Sequence, residues 1–145
     1  MAKFMGMLNN ISRSQAVFRQ SRVSAEGLSP GQYAFVLEIC REPGRSQEEL
    51  ARALCLNKST VARSLTALET KGYIRKETHK TDKRQLSVYP TERMLAVLPE
   101  VRAASREWTA LLSEGISEEE LVLFHSVLER MLARAREIIE REIGK

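Results

Sequence analysis

The chain has 145 residues, 43% of them hydrophobic and 29% charged, with a formal net charge of +4; a domain of that size buries roughly 70% of its unfolded surface and needs no staples. Two cysteines are too few for a disulfide framework, residues 1–10 lack the apolar core of an export signal, and no run approaches the roughly 18 apolar residues of a membrane span, so a cytoplasmic protein with reduced thiols is expected. Charge is unevenly spread, with balances of +3 over 1–41, +4 over 42–84 and −3 over 85–145, which suggests a polyanion facing the centre of the chain and a different task at its end.

From Ala2 to about Ser21, Phe4, Leu8, Ile11 and Phe18 fall on one stripe with Val17 beside it, predicting an amphipathic helix. After Glu26-Gly27, Ser29 can cap and Pro30 can open a second helix that carries Tyr33, Val36, Leu37 and Cys40 on one face and stops at Pro43-Gly44. Ser46-Gln47-Glu48-Glu49 is a capping box for a short helix burying Leu50, Ala51 and Leu54. Only Cys55 and Leu56 then precede Asn57, a cap for a helix over Lys58 to about Lys71, with Gly72 as its left-handed terminator. Two short helices so tightly joined match a helix-turn-helix, although the usual glycine is missing from the turn. Both cysteines lie in apolar helical stretches and read as small core residues.

The period changes at Tyr73. Ile74, then Leu86 and Val88, mark two strands around His79-Lys80-Thr81-Asp82-Lys83, a hairpin with a charged tip placed where a wing belongs. Thr91 can cap a long helix to about Ser113, with Leu95, Leu98, Val101, Trp108 and Leu112 at helical spacing and Pro99 expected to kink it. Glu114-Gly115 breaks the chain, and a second capping box at Ser117–Glu120 opens a last helix whose stripe is Leu121, Phe124, Leu128, Met131, Ala135 and Ile138.

In the helix from Lys58, Val61, Leu65 and Leu68 lie within roughly 60° of one another at about 100° per residue and define the buried face. The opposite face holds Ser59, Arg63, Thr66 and Thr70, flanked by Thr60 and Ala67. Small hydroxyl side chains let a helix approach base edges, and one arginine can grip guanine O6 and N7 bidentately, so this face suits a major groove. Residues 58–84 hold eight basic groups against three acids. Lys80, Lys83 and Arg84 at the hairpin tip suit phosphates or a minor groove, with Asp82 orienting the Arg84 guanidinium. An enzyme is disfavoured: there is no nucleophile paired with a base and no glycine-rich phosphate loop. His79 and His125 stand alone, so neither a metal nor a cofactor is expected. The rival reading is a winged-helix protein-interaction module that binds DNA weakly and without specificity.

Leu28-Ser29-Pro30 with Gln32 and Leu37, Gln47-Glu48-Glu49-Leu50-Ala51, Ser59-Thr60-Val61, Leu68-Glu69-Thr70-Lys71-Gly72-Tyr73-Ile74-Arg75 and Asp82-Lys83-Arg84 follow, in order and spacing, the pattern of the MarR family of bacterial transcription regulators, which the chain resembles over almost its whole length. It departs after the second strand, where Pro90-Thr91 and Met94 replace the usual Leu-Thr and glycine. The resemblance implies a mainly α fold with a small β-hairpin wing. Residues 1–145 would form one domain, with a winged helix-turn-helix at 29–90 and dimerisation helices in 1–28 and 91–145. It further implies a homodimer, a repressor on a roughly palindromic double-stranded operator, and a wing in which Arg84 touches DNA and Asp82 supports it. Relatives often release DNA on binding a small, frequently anionic aromatic effector between the dimerisation helices and the winged part. Arg13, Arg19, Tyr33 and Trp108 are the residues here that suit such a pocket.

Overall fold

The computed structural model describes residues 3–143, so Ala2, the expected start of the first helix, lies outside the described residues. In chain order the elements are α1 (Phe4–Arg22), a 3-10 turn (Pro30–Gln32), α2 (Tyr33–Arg41), α3 (Gln47–Leu54), α4 (Lys58–Thr70), β1 (Ile74–Thr78), β2 (Leu86–Pro90), α5 (Glu92–Leu112) and α6 (Glu118–Ile143). The chain divides within α5 into two compact units, Met1–Trp108 and Thr109–Lys145.

In the first unit, Val36, Leu50, Val61, Leu65, Leu68, Met94 and Val101 are wholly buried in one core. Local chemistry fixes the helix starts. The Ser46 Oγ accepts from the Glu49 N–H at 3.2 Å while the Glu49 carboxylate accepts from the Ser46 N–H at 2.6 Å, which closes the capping box of α3. Asn57 caps α4 through a 2.8 Å bond from the Thr60 N–H to its Oδ1. The α3–α4 turn is made by Cys55 at φ +53°, the one non-glycine residue of positive φ among the described residues. Cysteine thus does what glycine does in most such turns, at the steric cost that an L-residue meets there.

The β1–β2 hairpin is antiparallel, with Ile74 opposite Pro90 and Thr78 opposite Leu86. Strand β2 also pairs on its other edge. The Gly44 N–H donates to the Val88 carbonyl at 2.8 Å, the Val88 N–H donates to the Arg45 carbonyl at 2.9 Å, and Ser46 bridges Ser87. The segment leading into α3 therefore acts as a short third strand that holds the hairpin. Gly44 is required there: its φ is +93°, and a Cβ would sit 3.1 Å from the Tyr89 hydroxyl oxygen. Arg45 braces the same corner, donating to the Glu38 carbonyl at 2.8 Å and to its carboxylate at 2.5 Å.

Several expectations need correction. Cys55 is exposed and ends α3; only Cys40 packs against the core, and only partly. On α2 the deepest residues include Phe35 and Ile39, because this short helix is covered on more than one side. On α5, Met94 and Ala104 are buried, whereas Leu95 and Leu112 are exposed. Thr91 turns its hydroxyl to the Gly72 carbonyl, donating at 2.6 Å, and so ties the end of α4 to the start of α5. Ser29 stands as expected at the cap before Pro30, where the Gln32 side chain accepts from the Ser29 N–H at 3.0 Å. Pro99 falls inside α5, as expected.

Helix α1 buries no residue. In the second unit, α6 opens with the expected box, in which the Ser117 N–H donates to the Glu120 carboxylate at 2.9 Å and the Glu120 N–H donates to the Ser117 Oγ at 3.3 Å. None of its described side chains is buried, and Phe124 and Ile138 are 55% and 41% exposed. Among the described residues, no helix is long and apolar enough to cross a membrane.

Candidate nucleic-acid interface

Helix α4 divides as its periodicity predicts. Val61, Leu65 and Leu68 are fully buried, while Ser59, Arg63, Thr66 and Thr70 are exposed and Thr60 is half-buried. At its first turn the Asn57 Oδ1 accepts from the Ser59 hydroxyl at 2.8 Å as well as from the Thr60 N–H. Among the described residues Arg63 is restrained only by a long 3.4 Å bond to the Thr60 hydroxyl, so its guanidinium remains available to a ligand. Lys58, at the exposed start of the helix, donates from its Nζ to the Glu48 carboxylate on α3 at 2.6 Å. That bond, together with the charge of Lys58, holds the Glu48 carboxyl below its ordinary range.

At the wing tip, the Asp82 Oδ1 accepts from the Arg84 N–H at 3.1 Å and from its Nε at 3.2 Å, and Oδ2 accepts from the Gln85 side chain at 3.2 Å. The Arg84 backbone N–H, then its guanidinium, lower the Asp82 pKa and keep it a carboxylate. Arg84 is thereby aimed while its side chain stays 91% exposed. Lys80 and Lys83 are exposed beside it, with no ion pair or hydrogen bond among the described residues. A cleft of about 390 Å³ separates the wing from the helices, lined by Glu48, Lys58, Lys76, Arg84, Gln85 and Leu86 among others. Lys76 in this cleft is 3.7 Å from Glu69.

The four residues expected at an effector pocket behave differently from one another. Arg13 is exposed and bonded to Asn10 at 3.5 Å. Trp108 lies against Phe18, with ring centroids 5.4 Å apart. Tyr33 is buried, and burial, with the nearby Glu100 charge, pushes its phenol upward. Arg19 is half-buried, which lowers its pKa, and among the described residues its buried Nε has no hydrogen-bond partner. None of the four lines the cleft beside the wing.

Three residues of the candidate interface were not assigned to it from sequence. Glu48 and Gln85 act through partners ten and three residues away, and nothing in their local pattern marks them. His79 read as isolated. In the structure its Nδ1 accepts from the Thr81 and Asp82 N–H groups at 3.4 and 3.3 Å, and its Nε2 lies 3.8 Å from the Glu49 carboxylate.

A helix pair with an outward hydroxyl face, followed by a hairpin whose tip presents an aimed arginine, defines a winged helix-turn-helix DNA-binding protein. A sequence model of the MarR family matches residues 26–85. The chain is 31% identical over 115 residues to an uncharacterized HTH-type transcriptional regulator, YybA, of Bacillus subtilis, covering 79% of this chain and 74% of that protein. Among solved structures, the crystal structure of MarR is 31% identical, with a TM-score of 0.79 over 94% of this chain and 93% of that one. A MarR family regulator from Listeria monocytogenes, crystallised with a 26mer DNA, shares the fold at 20% identity, with a TM-score of 0.84 over 100% of this chain and 96% of that one. The chain belongs to the MarR family of transcriptional regulators and carries its DNA-binding winged helix.

Proposed function

We propose that the protein is a homodimeric repressor that binds a roughly palindromic duplex operator. Ser59, Thr60, Arg63 and Thr66 read base edges in the major groove. Lys58, Lys80, Lys83 and Arg84 engage phosphates or the adjoining minor groove, and Asp82 holds Arg84 in place. The observation that carries this reading is the outward hydroxyl-and-arginine face of α4, set opposite the buried Val61, Leu65 and Leu68. Dimerisation is supported by the exposed apolar side chains of α1 and α6, among them Phe4, Ile11, Phe124 and Ile138, which a single chain leaves in water. A dimer spanning two successive grooves would occlude a promoter, and occlusion is repression. Release by a small aromatic or anionic effector is supported by Arg19, whose half-buried guanidinium keeps a buried Nε without a hydrogen-bond partner among the described residues.

Selection of bound duplexes from a random pool tests this. Two inverted half-sites about 10 base pairs apart, and affinity falling steeply with salt, are expected. A flat salt dependence with no enriched sequence overturns the reading in favour of a protein-interaction module. Transcription from a promoter carrying the selected site should fall when the protein is added, and activation would overturn the repressor assignment.

A further inference from the structure

His79 occupies the joint between the wing tip and the helix-turn-helix, and its side chain is only 17% exposed. Its Nδ1 accepts from the N–H groups two and three residues ahead, those of Thr81 and Asp82. That is the pattern by which an asparagine or aspartate side chain organises a turn, and here an imidazole nitrogen takes the place of the side-chain oxygen. The Thr81 hydroxyl lies 3.2 Å from the same nitrogen. Two accepted N–H bonds require Nδ1 to be the unprotonated nitrogen, which leaves the ring proton on Nε2, facing the Glu49 carboxylate at 3.8 Å. That carboxylate is already fixed, because it also accepts the Ser46 N–H at the start of α3.

The chain of contacts then continues outward. His79 holds the Asp82 backbone, and the Asp82 carboxylate holds Arg84 and Gln85. We infer that His79 is a positioning residue for DNA binding: its imidazole closes the wing-tip turn through Nδ1 and so aims Arg84. The inference rests on the proposed role of Arg84 at DNA.

Three variants, H79A, H79N and R84A, test it with two readouts. One is affinity for a duplex recovered from the random pool; the other is amide hydrogen exchange of residues 79–85 in the DNA-free protein. H79A should speed exchange at Thr81 and Asp82 and weaken DNA about tenfold, approaching R84A. H79N should restore slow exchange and most of the affinity, because an asparagine oxygen supplies the acceptor that Nδ1 supplies. The inference is overturned if H79A leaves loop exchange and affinity unchanged, or if H79N is as impaired as H79A. If H79A loosens the loop while R84A binds DNA normally, the role of His79 in the turn stands and the assignment of Arg84 to DNA fails.

Discussion

Arg63 and Arg84 present the same guanidinium on different supports, and removing each should have a different signature. Arg63 lies on the outward face of α4, so Arg63→Ala should relax preference at one or two base positions, costing about 1–3 kcal/mol at the preferred sequence and little elsewhere. Arg84 lies at the wing, and Arg84→Ala should weaken all sequences together and flatten the salt dependence. Competition binding against a panel of duplexes separates the two; equal losses on every sequence would show that α4 is not the reading element. The Asp82 support has its own pH signature. Its folded pKa is lowered, first by the Arg84 N–H and then by the Arg84 side chain, so its contribution is complete above the unfolded aspartate value, about 4, and is lost as pH falls through the lower folded value. The Arg84 Nε–H resonance should therefore move with a midpoint below that of an ordinary aspartate, whereas Asp82→Asn should abolish that titration.

At the scale of elements, the helix-turn-helix is held by burial on one side and by a strained turn at its centre. Leu65 has no exposed surface, and Leu65→Ala should cost about 2–5 kcal/mol in chemical denaturation. At Cys55 the backbone has φ +53°, so Cys55→Gly should match or exceed the parent in stability while Cys55→Val loses about 1–2 kcal/mol, the cost of a branched side chain in a left-handed turn. These local features were also the legible ones. The capping boxes at Ser46 and Ser117, the Asn57 cap, the terminator Gly72 and the two faces of α4 each follow from residues within a turn or two of one another. What sequence did not reveal depends on pairing across the fold. The choice of Met94 over Leu95 for the core, the Thr91 bond to Gly72 and the contact of His79 with Glu49 exist only once distant segments have met. Cys55 misled for a related reason: its apolar neighbours suggested burial, but the turn geometry directs it to solvent. Likewise Asp82-Lys83-Arg84 could be read as a support and its arginine, while the His79 ring that organises their turn read as isolated.

For the whole molecule, α6 is 26 residues of amphipathic helix without a buried described side chain, and that exposure carries the proposed assembly. Phe124→Asp on its 55% exposed ring should convert the protein from dimer to monomer in sedimentation while leaving the fold of residues 29–90 intact by circular dichroism. Duplex binding should then fall to that of a single half-site. A dimer that survives this change, and Ile138→Glu as well, would place the interface elsewhere. The attachment of β2 to residues 44–46 has a further effect on how such an assembly could be turned off. A hairpin paired along its rear edge is braced against flapping, so in the proposed dimer each reading head would move as one solid piece. In the proposed dimer, letting go of an operator would then come from altering the gap between the two heads, as opening a pair of calipers does, and pulsed-EPR distances between labelled copies would register that change while wing amide protection stayed constant.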